Sequence, residues 1–171
     1  VVANGVIYVL GGGSGVANKT VYYAAPNPDG TVTAWTTSVN QMGTARLNFG
    51  AATGNGYIYA LGGNNGGYSD TVEYASLNPT TGAVGAWSPT TPFDVARERP
   101  VTFFDNGYVY LSGGYNGSIY ISDIQFAAVR SDGTLEPWGS NYYSPTGRSA
   151  HAGLAYNGFM YILGGRNSGG Q

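Results

Sequence analysis

The chain has no cysteine among its 171 residues, so neither a disulfide framework nor thiolate chemistry is open to it. Charge is scarce as well: 9% of residues are charged and the net charge is −2. That balance leaves no basic footprint for nucleic acid. Histidine occurs once, as His151, and one imidazole without a thiolate cannot make a transition-metal site of the usual kind. No apolar run approaches the ~20 residues that span a bilayer, so membrane insertion is not expected. No leader pattern and no initiating Met stand at Val1; the chain starts as though inside a strand and reads as a portion of something longer. There is no phosphate loop and no nucleophile motif. Asp29-Gly30 and Asp132-Gly133 are turn dipeptides, lacking the alternating acids and amides of a calcium loop. The carboxylates Asp70, Glu73, Asp94, Glu98, Asp105, Asp123 and Glu136 fall out of phase with any repeat, so no catalytic pair is assigned. No cofactor and no metal is expected.

What the chain does have is glycine, at 29 positions, and tyrosine, at 15. Such a composition is turn-rich and aromatic, unlike that of disordered chains. The glycines are phased. Asn4-Gly5-Val6-Ile7-Tyr8-Val9-Leu10-Gly11-Gly12 returns at Asn55–Gly63, Asn106–Gly114 and Asn157–Gly165, each copy 51 residues after the last. A fixed long period means one supersecondary unit copied in series. Asn-Gly is the strongest short hairpin signal, because a two-residue turn of this type needs φ > 0 at both central positions. Each Asn-Gly therefore joins two antiparallel strands. The second of these is Val6–Leu10, Tyr57–Leu61, Tyr108–Ser112 and Phe159–Leu163. It is apolar or aromatic on both alternating faces in most copies, so both faces are covered. The Gly-Gly behind it admits close backbone approach or a positive φ.

The first strand of each pair is expected at Leu47–Thr53, Pro100–Phe104 and Ala150–Tyr156. A third is expected at Thr20–Ala25, Thr71–Ser76 and Ile121–Val129. Turn chemistry then announces a fourth strand that ends at Trp35, Trp87 and Trp138. Four short antiparallel strands per unit, covered on both faces, make an all-β protein whose units are blades of a β-propeller.

The residues also resemble a known family. An apolar run ending in Gly-Gly, then an aromatic (Tyr23, Tyr74, Phe126), then a tryptophan is similar to the kelch repeat. The likeness extends to Arg46, Arg97 and Arg148, again 51 apart, and to His151 three residues beyond its arginine. The fold it implies is a propeller of four-stranded kelch-like blades, of which about 3.3 are present. Residues 1–45 would supply strands two to four of a first blade, 46–96 and 97–147 two whole blades, and 148–171 strands one and two of a fourth. Propellers close with roughly 4 to 8 blades, so the remaining blades of a longer parent chain, or self-association, are expected to close the ring.

Two sets of residues are candidate ligand contacts. Arg46, Arg97 and Arg148 are placed at one mouth of the central channel, where an arginine fork clamps carboxylates or other anions. In some animal kelch domains the matching arginines bind acidic peptides. The alternative is that each arginine bonds carbonyls of the adjacent blade. The second set lies in the loops after Gly-Gly, which differ between copies: Asn64, Asn65 and Tyr68; Tyr115 and Asn116; Arg166 and Asn167. Variable loops on a rigid scaffold are where recognition resides. The expected function is a non-catalytic binding module for a protein or glycan. Alternatives are a structural or adhesive repeat of a larger surface protein, or a fragment of a kelch-type enzyme, an oxidase or sugar-acid isomerase. Galactose oxidase, a kelch-type oxidase, holds copper with a Cys–Tyr crosslink and two histidines, parts this chain lacks. Low charge with abundant Tyr, Asn, Thr and Gly suggests a secreted or surface protein of bacterial origin.

Overall fold

The structure, a computed structural model, describes residues 1–170; Gln171, the last residue of the fourth unit, lies outside the described residues. Fourteen strands and no helix make up this part of the chain. Three sheets have four strands in simple sequential order and a fourth sheet has two. The first holds β1 (Val2–Ala3), β2 (Val6–Leu10), β3 (Val21–Ala24) and β4 (Thr36–Thr37). The second holds β5 (Gly50–Gly54), β6 (Tyr57–Leu61), β7 (Val72–Ser76) and β8 (Ser88–Thr90). The third holds β9 (Val101–Asp105), β10 (Tyr108–Ser112), β11 (Asp123–Ala128) and β12 (Gly139–Tyr143). β13 (Ala152–Tyr156) and β14 (Phe159–Leu163) form the last. Every pairing is antiparallel.

The hairpins form where Asn-Gly demands them. Asn55 and Gly56 have φ of 51° and 81°, and Asn106 and Gly107 have 47° and 84°, so both central residues are left-handed and Gly54 meets Tyr57 across a tight turn. Two expectations differ from the structure. The first sheet has four strands rather than three, because Val2 and Ala3 pair with Ile7 and Val6. The outermost strand begins after the tryptophan instead of ending at it. Before the tryptophan only single bridges form, Pro26 with Val32, Leu77 with Val84 and Val129 with Leu135. Those bridges satisfy the turn, and ladder pairing resumes only where the chain straightens again.

Sheets stack face to face. Tyr8, Val21 and Met42 of the first meet Ile58, Ala60, Ala75 and Val84 of the second. Tyr59, Leu61, Val72 and Phe93 of the second meet Val109, Leu111, Ala127 and Leu135 of the third. Each blade thus turns its strand-two tyrosine toward the following blade and the alternate residues toward the preceding one. The tyrosine hydroxyls lock the stack: Tyr8 donates to Gly82 O at 3.0 Å and Tyr59 to Gly133 O at 2.9 Å. The strand-one segments β1, β5, β9 and β13 lie side by side at the inner rim. There Thr53 Oγ1 donates to Val2 O and Thr102 Oγ1 to Ala51 O. Glycine is required at this rim, since a Cβ on Gly54 would sit 2.2 Å from the Phe104 ring.

Candidate functional site

The Gly-Gly pairs build one end of the molecule. After strand two the chain must turn sharply while the following blade presses against it. The second glycine donates its N–H to the carbonyl of the next blade's arginine: Gly12 to Arg46 O, Gly63 to Arg97 O and Gly114 to Arg148 O, at 2.8 to 2.9 Å. A Cβ at Gly63 would lie 2.5 Å from Leu47 O, so no side chain fits. The next residue is pinned at the base of its loop by reciprocal backbone bonds, Asn64 with Leu47, Tyr115 with Glu98 and Arg166 with Ser149. Fixed roots and differing tips make this end a set of rigidly mounted loops.

The phased arginines serve the blade interior. Arg46 and Arg97 are buried. Each reaches across its own blade to the first glycine of the pair, Arg46 to Gly62 O at 2.7 Å and Arg97 to Gly113 O at 3.1 Å. Each also pairs with an acid on strand three, Arg46 with Glu73 at 3.3 Å and Arg97 with Asp123 through both nitrogens. Arg97 further lies 5.5 Å from the centre of the Phe93 ring. The bonds to the glycine carbonyls and the strand-three acids stay within one blade, while Arg97 Nε reaches back to Val95 O at 2.9 Å. Buried guanidiniums already occupied by carboxylates and carbonyls present no fork to solvent, so these two are structural ties. Arg148, half-buried, repeats the bond to Gly164 O at 2.8 Å.

What the phase brings to the inner rim is a different set. Asn48, Arg99 and Ala150, themselves 51 apart, have φ of 53°, 54° and 51°. Arg99 N–H donates to Asn48 O at 2.6 Å and Ala150 N–H to Arg99 O at 3.1 Å, passing one bond from blade to blade. Beside them the buried Glu98 carboxylate accepts from the side-chain amides of Asn48 at 3.1 Å and Asn64 at 3.4 Å, with Arg99 at 3.6 Å. Neither composition nor motif marks Arg99 or Ala150 as left-handed; the 51-residue phase was the only available signal.

The loop candidates gather into two clefts at the Gly-Gly end. A cleft of about 240 Å³ is lined by Thr44, Ala45, Arg46, Asn64, Asn65 and Tyr68. A wider one of about 720 Å³ lies between the third and fourth units, lined by Tyr115, Ile119, Tyr120, Arg166 and Asn167. Three tyrosines bridge them: the Tyr68 and Tyr115 rings meet edge-on at 6.1 Å, and the Tyr115 and Tyr120 rings are tilted against each other at 5.0 Å. Asn116 stands outside both linings; its Oδ1 accepts from Ser118 N and Ile119 N and holds the loop's shape. Tyr120 and Ile119 were missed by sequence reasoning, which stopped at the loop tip. Among the described residues no group of three or more His, Cys, Asp or Glu side chains could hold a metal.

The stacked four-stranded sheets, with their inner strands side by side, are blades of a β-propeller. A family model described as the Kelch motif matches residues 45–74, from just before Arg46 to Tyr74. A solved structure titled "Structure of YjhT" superposes with a TM-score of 0.68 at 15% identity, over 90% of this chain and 47% of that one. At such identity the likeness speaks to fold. The chain spans about half the length of that structure. Residues 45–74 thus carry the Kelch motif, and the stacked sheets have the architecture of kelch-type propeller blades.

Proposed function

We propose that the chain is a binding module that recognises a protein or glycan through the loops at its Gly-Gly end. The observation that carries this reading is the cleft of about 720 Å³ between the third and fourth units, where Tyr115, Tyr120, Ile119 and Arg166 meet. Its chemistry suits a ligand with both flat apolar and polar faces. Tyrosine rings offer area at low entropic cost, and an exposed guanidinium offers donors to hydroxyl, carboxylate or carbonyl oxygens. The loops that differ between copies are mounted on backbone that does not, which is how a repeat scaffold varies recognition without altering its core. On composition, such a module works outside the cell or at its surface. Screening the purified chain on glycan and peptide arrays, then repeating the screen with Tyr115→Ala and Arg166→Ala, tests the reading. The expected result is a bound class whose signal both variants lose while their folding is unchanged. Binding that both variants retain, or no bound class at all, would overturn the site.

A further inference from the structure

The smaller of the two clefts, about 240 Å³, is built from residues 44–69, around a blade that has another blade packed on each face. Every residue that lines it stands outside the strands, and none offers a free charge, since the Arg46 guanidinium is paired with Glu73. What remains is hydroxyl, amide and one flat ring. Tyr68 supplies the ring and is 39% exposed. The third blade holds it in place: Tyr115 meets it edge-on at 6.1 Å, and a Cβ on Gly117 would lie 2.7 Å from the Tyr68 ring. The Asn64 amide is held as well. A carboxylate only accepts, so the buried Glu98 keeps Asn64 Nδ2 toward itself at 3.4 Å and turns Oδ1 away. Among the described residues nothing donates to that oxygen. Arg46, also in the lining, has a buried Nε–H with no acceptor among the described residues.

We propose that this cleft is a subsite for one neutral sugar ring, stacked on Tyr68, with Asn64 Oδ1 accepting from a hydroxyl and Glu98 as the positioning residue that orients Asn64. The proposal rests on the reading of the Gly-Gly end as a recognition surface and narrows its ligand to a glycan. A hydroxyl both donates and accepts, which is what an open amide oxygen and an unpaired guanidinium N–H in one cleft call for. A sugar ring carries C–H groups on its faces and hydroxyls on its edge, matching one aromatic face set among polar groups. A peptide is the poorer fit. Its recurring modes of capture need a strand edge, a groove of several apolar or aromatic side chains, or a cluster of free charge, and the cleft has none of these. Size agrees: pockets that enclose a drug-sized ligand begin at ~300 Å³, so this cleft takes a single ring. Past Tyr68 the Tyr115 and Tyr120 rings lead to the larger cleft, where further units of the glycan have room.

Heteronuclear NMR of the isotope-labelled chain makes the test, with separate titrations of glucose, galactose, mannose, N-acetylglucosamine, glucuronic acid and a capped alanine tripeptide. At least one neutral sugar is expected to shift the backbone amides of Thr44, Asn65, Gly67 and Tyr68 saturably, and glucuronic acid is expected to bind no more tightly than glucose. Tyr68→Ala and Asn64→Ala should each weaken that binding about tenfold or more. Circular dichroism checks that both fold, and Tyr68→Leu or Asn64→Ser replaces one that does not. Glu98→Gln should shrink the preference for the bound sugar over its worst-binding monodeoxy analogue, a readout that lost stability alone leaves unmoved. An unchanged preference would overturn the role given to Glu98. Cleft amides that no neutral sugar shifts, or that the tripeptide or glucuronic acid shifts more readily, would overturn the subsite. Undiminished binding by the Tyr68 and Asn64 variants would do the same. Shifts confined to Tyr115, Tyr120 and Arg166 would overturn it too, while leaving the larger cleft as the recognition site.

Discussion

At the scale of single residues, the phased arginines show how a repeat position can look like a ligand site and be part of the core. Arg97 has no exposed surface, and its charge is answered by Asp123 and the Gly113 carbonyl. Replacing it with alanine leaves a carboxylate in a poorly hydrated place, and breaking a buried pair in this way costs about 3–5 kcal/mol. Arg148→Ala should cost clearly less, because Arg148 is half-buried and its side-chain bonds go to the carbonyls of Thr146 and Gly164. Chemical denaturation of the two variants side by side checks the difference; equal losses would contradict it. His151 gives the second prediction. It follows its arginine at the interval that Phe49 follows Arg46; its ring lies against Gly113 and its Cβ against Gly165. Both ring nitrogens are buried without a partner. Burial, and then the charge of Arg148, lower its pKa from the ordinary 6.5. The unfolded chain therefore binds the proton more readily than the folded one, and stability falls as pH drops below 6.5 toward the folded value. His151→Phe should remove that part of the pH dependence and raise stability in mild acid. Thermal unfolding of both proteins across that range is the measurement, and identical pH profiles would refute the assignment.

At the scale of elements, strand two and its hairpin were legible because three signals coincide there: Asn-Gly before, a doubly apolar run, and Gly-Gly after. All four copies of strand two fall on the expected residues. The outermost strand was not legible. It is polar and short, as in Thr36–Thr37 and Ser88–Thr90, and it tolerates Pro89 because an edge needs no donor on its outer side. The tryptophan before it marks packing between blades, not a strand end: Trp138 Nε1 donates to Thr91 O of the preceding blade at 3.0 Å. The loop candidates were legible as residues, and what drew them into clefts, the blade-to-blade bonds of the Gly-Gly pairs, was not. The two kinds of glycine predict different costs. At Gly107 a Cβ would meet nothing within 4 Å, so Gly107→Ala carries only the backbone penalty of φ 84°, about 1–2 kcal/mol. At Gly113 the same change adds a Cβ 2.5 Å from Arg148 O and 2.7 Å from the His151 ring. Gly113→Ala should therefore destabilise more and loosen the third blade from the fourth unit. Equal destabilisation by denaturant would show that the close approach carries no energy.

At the scale of the whole molecule, a blade stack behaves as a one-dimensional array whose stability sums each unit's own contribution and its contacts with neighbours. The second blade is packed on both faces, with Ile58, Tyr59, Ala60 and Leu61 all fully buried along one strand. The fourth unit has only β13 and β14, and Phe159, Met160, Tyr161 and Leu163 stay exposed. Local opening free energies follow such burial, because a segment with few apolar contacts opens without disturbing the rest. Amide hydrogen exchange should thus protect β6 most, β10 next, and β14 least. Protection that is uniform along the chain would mean a single cooperative unit with no nearest-neighbour character.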